Sequence, residues 1–182
     1  AVFSAYLYRT LYRKIREPKI MSQNNRFDRL ALLLGEEGLK RLQGASVAVF
    51  GLGGVGSYAV EALVRGGIGR LTLIDFDQVD ITNCNRQIHA QEGTIGQPKA
   101  LVMAERCRLI NPDVEVEPLQ AFYSHENSAE LLERGYDYVL DCIDHITAKI
   151  HLIETCVTMQ LPIISSMGAA NKLDPTCLGV AD

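Results

Sequence analysis

Val47-Ala-Val-Phe-Gly51-Leu-Gly53-Gly54-Val-Gly56 is an apolar run that ends in G-x-G-G-x-G, and a helix-like segment over residues 57–64 follows it. Glycines at these positions allow a tight turn and let the backbone approach a phosphate without Cβ clashes. The helix N-terminus behind them supplies free N–H groups and a positive dipole end. A second apolar run, residues 70–75, ends in a carboxylate 24 residues after Gly51, where folds of this kind hold a ribose hydroxyl. Together the two runs predict a nucleotide site built from Gly51, Gly53, Gly54, Gly56 and Asp75.

The residues after Asp75 bear on which nucleotide. An NAD-binding oxidoreductase is the first reading of such a glycine pattern, and it needs few cations near the pyrophosphate. The segment Phe76-Asp77-Gln-Val-Asp80-Ile-Thr82-Asn83-Cys-Asn85-Arg86-Gln87-Ile-His89-Ala90 leads instead to Gly96-Gln-Pro98-Lys99. Asn83 and Arg86 stand three apart and share a face if the segment is helical. Lys99 opens another helix just after Pro98, a residue favoured in a first turn. An Arg, a Lys and polar amides near the strand ends suit a triphosphate, whose charge must be neutralised for attack at phosphorus. The expectation is ATP.

The rest of the chain frames that site. Its 182 residues, 47% hydrophobic and 22% charged, describe about one globular domain. Residues 1–20 hold five cations and one acid, a net of +4; against −4 for the whole chain this leaves −8 for residues 21–182. An acidic body does not advertise nucleic-acid binding, so any RNA contact needs a local basic patch. Residues 1–20 read as a non-fold or translated upstream segment, with a mitochondrial transit peptide as the alternative. Five cysteines without a C-x-x-C pair argue against a disulfide framework and fit a reducing cytoplasm. No apolar run approaches the ~18 residues of a membrane span, so no stable membrane insertion is expected.

Strand-like runs at 46–51, 70–75, 114–118, 137–141 and 161–165 alternate with helix-like runs at 55–66, 98–110, 124–134 and 146–160. That alternation predicts an α/β, Rossmann-like doubly wound, mostly parallel sheet. Residues 27–42, with Leu30, Leu33, Leu34 and Leu39, predict a leading helical arm interrupted around Gly35 and Gly38. Ser124 is the expected N-cap of the fourth helix. Residues 171–182 read as entering another strand and stopping, so residues 21–182 are expected to be one C-terminally truncated domain.

The glycine loop, Leu73-Ile-Asp75-Phe-Asp77, Asn83-Cys-Asn85-Arg86-Gln87, Gly96-Gln-Pro-Lys99 and Leu140-Asp-Cys-Ile-Asp144 together resemble the ubiquitin-activating-like adenylating enzymes, over residues 26–182. That family includes the adenylyltransferases of thiamine and molybdopterin biosynthesis. Thr82-Asn-Cys-Asn-Arg-Gln-Ile-His-Ala90 and Met167-Gly-Ala-Ala-Asn-Lys-Leu-Asp-Pro-Thr176 look like its tRNA threonylcarbamoyladenosine dehydratase branch. The resemblance implies that Gly54 sits in the phosphate loop and Asp75 holds the ribose. Asn83, Arg86 and Lys99 would contact the triphosphate, Gln87 would be a further cofactor-binding residue, and Asp144 would hold Mg²⁺. Arg26-Phe-Asp-Arg29 resembles a motif whose second Arg reaches the partner's site in a homodimer. His145 departs from the Asn common there. Implied partners are tRNA and a sulfur-transfer protein, and the other carboxylate to weigh is the C-terminal glycine of a ubiquitin-like sulfur carrier.

That chemistry suits the residue types. A substrate carboxylate attacks the α-phosphorus, pyrophosphate leaves, and charge grows on the bridging oxygen, where Arg86 and Lys99 can stabilise it. An acyl-adenylate of threonylcarbamoyladenosine can be closed by its own carbamoyl oxygen, without an enzyme nucleophile. Structural readings stand beside these roles: Asp144 as a cap for a helix starting near Thr147, Lys99 as a solvated first-turn residue, and Asp77 and Asp80 as turn residues. Asp141, Cys84, His89, His125 and His151 are read as structural.

Overall fold

A computed structural model of the chain describes residues 25–169 and 173–181. The charged segment 1–20 and part of the Met167–Thr176 motif lie outside those residues.

The leading helix α1 (Asp28–Gly44) precedes β1 (Ser46–Phe50), α2 (Gly56–Arg65) and β2 (Arg70–Ile74). After β2 come two 3₁₀ turns (Ile81–Asn83 and Glu92–Thr94), α3 (Lys99–Ile110) and β3 (Glu115–Leu119). α4 (Ser128–Leu132), β4 (Tyr138–Asp141), α5 (Ile146–Thr158) and β5 (Ile163–Ser165) complete the layers, and a 3₁₀ turn, Pro175–Cys177, follows.

The sheet order is β3-β2-β1-β4-β5 and every pairing is parallel. β1 is the central strand, buried at all five residues. Its alternation serves both faces. Val47 and Val49 pack with Val60 and Val64 of α2 and with Met103 and Cys107 of α3. Ala48 and Phe50 pack with Leu131 and Leu132 of α4 and with Leu152 and Cys156 of α5. Helices therefore cover both faces, as the alternation of runs predicted. β3 pairs with β2 alone, and an edge position is where its Pro118 does no harm to the hydrogen-bond ladder.

Three local expectations are corrected. α1 kinks at Gly35 (φ 73°, ψ 168°) but runs helically through Gly38. The N-cap of α4 is Asn127, not Ser124; the Asn127 side chain accepts the Ser124 N–H and donates to the Phe122 carbonyl, building the turn itself. The described residues near the C-terminal end form the 3₁₀ turn, not a strand. Among the described residues no helix is long and apolar enough to cross a membrane.

Candidate nucleotide cleft at the switch point

β2 lies to one side of β1 and β4 to the other, so the connections from their C-terminal ends diverge and leave a crevice. A cleft of about 530 Å³ occupies that position.

The glycine loop forms one wall. Gly51 adopts φ +88°, and a Cβ there would lie 2.7 Å from the Cys142 carbonyl oxygen. At Gly56, the first residue of α2, a Cβ would fall 1.8 Å from the Gly51 carbonyl oxygen. These two glycines let α2 close onto the strand ends. No side chain caps α2, and the Ser57 N–H of its first turn donates to the Gly53 carbonyl of the loop at 3.1 Å. Gly51, Gly53 and Gly54 line the cleft, whereas Gly56 is buried behind it and serves packing.

The end of β2 forms the second wall. Asp75 is buried, and its Oδ2 accepts the Leu52 N–H at 2.6 Å while Oδ1 accepts the Asp77 N–H at 2.8 Å. Burial pushes its carboxyl above the usual range; those two N–H groups and the nearby Lys99 oppose the rise.

The segment after β2 brings in the amide and cation residues. Asp80 caps the first 3₁₀ turn and receives the Thr82 N–H, while Asn83 Oδ1 takes the Asp80 N–H at 3.0 Å. The Arg86 and Gln87 N–H groups both return to the Asn83 carbonyl, so Asn83, Arg86 and Gln87 all reach the cleft. Arg86 Nη1 donates to the Thr82 carbonyl at 3.1 Å and to Asn85 Oδ1 at 3.0 Å. The space a Cβ on Gly54 would take lies 3.5 Å from Arg86 Cγ. Gln87 is buried, and its Oε1 has no hydrogen-bond partner.

Lys99 is the first residue of α3, and Pro98 is its N-cap. The solvated reading of Lys99 is corrected: it is 5% exposed and pairs with Asp77 at 2.7 Å, at the cleft wall. Asp144 also lines the cleft, at the end of β4. It does not cap α5; His145 does, its Nδ1 accepting the Ala148 N–H at 3.3 Å. Asp141 has no part in the cleft: it is fully buried and paired with Lys149 at 2.7 Å. Arg29 is exposed on α1 and is not among the residues lining the cleft.

Sequence reasoning missed the aromatic rim. Phe76 and Phe122 stack edge-to-face at 5.1 Å, His145 joins Phe122 at 5.9 Å, and all three line the cleft. Their separation along the chain left no local signal. Asp77, read as a turn residue, also lines the cleft and pairs with Lys99; its spacing of two from Asp75 could have suggested a second cleft carboxylate.

The fold and the cleft together define a doubly wound α/β domain with a glycine-loop ligand site at its switch point. The chain belongs to the ThiF family, whose model matches residues 27–178. It is 51% identical over 158 residues to a protein of Bacillus subtilis named tRNA threonylcarbamoyladenosine dehydratase, covering 87% of this chain and 62% of that one. An Escherichia coli protein of the same name is 46% identical, over 86% of this chain and 59% of its own. The crystal structure of E. coli tRNA N6-threonylcarbamoyladenosine dehydratase, TcdA, in complex with ATP superposes with a TM-score of 0.81 at 46% identity, covering 83% of this chain and 62% of that one. The chain spans about three fifths of the length of these relatives.

Proposed function

We propose that this chain carries the ATP site of an enzyme that adenylates a carboxylate, and that the reaction is the dehydrating cyclisation of threonylcarbamoyladenosine in tRNA. One observation carries the proposal. Asn83, Arg86 and Lys99 converge with the glycine loop on a single cleft, in a chain 51% identical to a protein named for that dehydration.

In this reading Gly51, Gly53 and Gly54 take the phosphates, and Asp75 takes the ribose hydroxyls. Arg86 and Lys99 supply positive charge where it is needed as the α-phosphorus is attacked. Asn83 spends its Oδ1 on Asp80, which leaves the Nδ2 hydrogens as donors to phosphate. The carboxylate oxygen bonds to the α-phosphorus as pyrophosphate departs. The carbamoyl oxygen then attacks the acyl carbon, AMP leaves, and the carbamoyl nitrogen gives up a proton.

Mg²⁺ fits the donor set. Asp144 offers a cleft carboxylate with no hydrogen bond or ion pair among the described residues, and Mg²⁺ takes one or two carboxylates beside phosphate oxygens. Bound there, the metal would withdraw charge from the phosphates.

The working unit in this proposal is a symmetric homodimer in the cytoplasm, acting on tRNA and taking a sulfur-transfer protein as a further partner. Leu32 and Leu33 of α1 are 76% and 79% exposed, an apolar surface that a second copy would cover. Thermal unfolding with added nucleotide tests the core of the proposal. ATP with Mg²⁺ at about 100-fold its dissociation constant adds about 2.7 kcal/mol of stability. A shift with NAD equal to that with ATP, or a shift with NAD alone, would return the site to the oxidoreductase class.

A further inference from the structure

A lysine ammonium removed from water needs a counter-charge nearby. Lys99 has one: Asp77 Oδ2 lies 2.7 Å from Nζ, with 6% of the lysine side chain and 45% of the aspartate side chain exposed. The pair is held from the backbone as well, since the Lys99 N–H donates to the Asp77 carbonyl at 3.0 Å. Asp77 in turn donates its N–H to Asp75, and Asp75 receives the Leu52 N–H of the glycine loop. A continuous hydrogen-bonded chain therefore runs from the glycine loop to the ammonium. Both ends of the ion pair line the cleft.

Resting on the adenylation reading, we propose that Asp77 is a positioning residue that shares the Lys99 ammonium with nucleotide phosphate. With the cleft free of phosphate, Asp77 holds the Lys99 ammonium against the wall. An incoming phosphate takes the ammonium from a carboxylate already at contact distance, so part of its attraction is spent on that exchange. When pyrophosphate departs, Asp77 recaptures the ammonium, and the exchange speeds release. The half-exposed aspartate suits this part, because its carboxylate can be solvated while Lys99 is engaged elsewhere.

The consequence is counter-intuitive for a residue of the site: removing Asp77 tightens phosphate binding. Calorimetry with ATP and with inorganic pyrophosphate on Asp77→Asn should show both binding about tenfold more tightly, the scale of a hydrogen bond to a charged group. Turnover should show KM for ATP and kcat falling together, because product is retained. In a Lys99→Met background the same Asp77→Asn change should alter affinity less than about twofold, since the coupling runs through Lys99. Asp77→Ser serves as a second variant if Asp77→Asn folds poorly, and is expected to tighten binding likewise. Unchanged or weaker affinity in folded Asp77 variants, beside wild-type chain that binds ATP, overturns the exchange and leaves the adenylation reading standing. An equal gain in the Lys99→Met background overturns it too, by assigning the effect to the general field of the carboxylate. Wild-type chain that fails to bind ATP removes both.

Discussion

Asp75 Oδ2 accepts the Leu52 N–H at 2.6 Å, so the carboxylate at the end of β2 is fastened to the glycine loop at the end of β1. Two neighbouring parallel strands thus deliver a single preorganised surface. In the proposed reaction Asp75 would hold the nucleotide and Arg86 would act on it.

Asp75→Ala should mainly weaken ATP binding, because a ribose contact persists from ground state to transition state. Arg86→Ala should mainly slow adenylation, because phosphate charge develops during attack. The loss for Arg86→Ala should be about 2.7–4 kcal/mol in the barrier. Wild-type pyrophosphate release by Arg86→Ala at saturating ATP and substrate would remove Arg86 from its role.

Two glycines of one loop should respond oppositely to alanine. At Gly56 a Cβ meets the Gly51 carbonyl at 1.8 Å, with backbone on both sides of the conflict. Gly56→Ala should destabilise the fold by about 3 kcal/mol or more, read by urea denaturation. At Gly54 the added methyl group meets Arg86 carbons at ordinary contact, 3.5 and 3.6 Å. Gly54→Ala should fold normally and lose ATP affinity. Similar stability losses at both positions would contradict the division between a packing glycine and a phosphate glycine.

Every predicted strand run fell within a residue or two of an observed strand, and in β1 and β2 the signal was a buried β-branched and aliphatic run between turns. Gly51, Gly53, Gly54, Asp75, Asn83, Arg86 and Lys99 were legible from the residues and Asp144 from the family resemblance, and the cleft brings them together. What stayed hidden were relationships across the chain. Lys149 falls in the helix-like run at 146–160 with nothing local to mark it, yet it is buried between Asp141, Ser165 and the Ser166 carbonyl and ties β5 to β4. The Phe76–Phe122 contact and the Lys99–Asp77 pair likewise join residues that no local period links. Ser124 was misread for the opposite reason: two cap-type residues three apart compete for one turn, and the Asn127 side chain reaches both of its partners.

His89 makes the stability depend on pH. It is 1% exposed, neither ring nitrogen has a partner, and burial first, then Lys99 and Arg106, push its pKa down to about 4. The unfolded chain binds the His89 proton in the window between about 6.5 and about 4 whereas the fold does not, so stability falls as pH drops through that window. Between pH 7 and pH 5 the loss from this residue should be about 2 kcal/mol by denaturant unfolding. His89→Leu removes two unpaired buried nitrogens at similar volume and should flatten that part of the profile. An unchanged pH profile in His89→Leu would show that His89 is protonated, or partnered, in the fold.

Arg29 stands outside its own cleft, so the proposed dimer predicts complementation. An Arg29→Ala chain mixed with an Arg86→Ala chain should recover activity, with about a quarter of sites intact at full exchange of an equimolar mixture. Demonstrated exchange without recovery would confine Arg29 to its own subunit or remove it from the site.

The most direct measurement is pyrophosphate release from ATP in the presence of tRNA carrying threonylcarbamoyladenosine, with the modified nucleoside weighed afterwards. The proposal predicts release that depends on that tRNA, AMP as co-product, and a nucleoside lighter by one water. Release triggered by a ubiquitin-like sulfur carrier and not by tRNA, or no release with either, would contradict it.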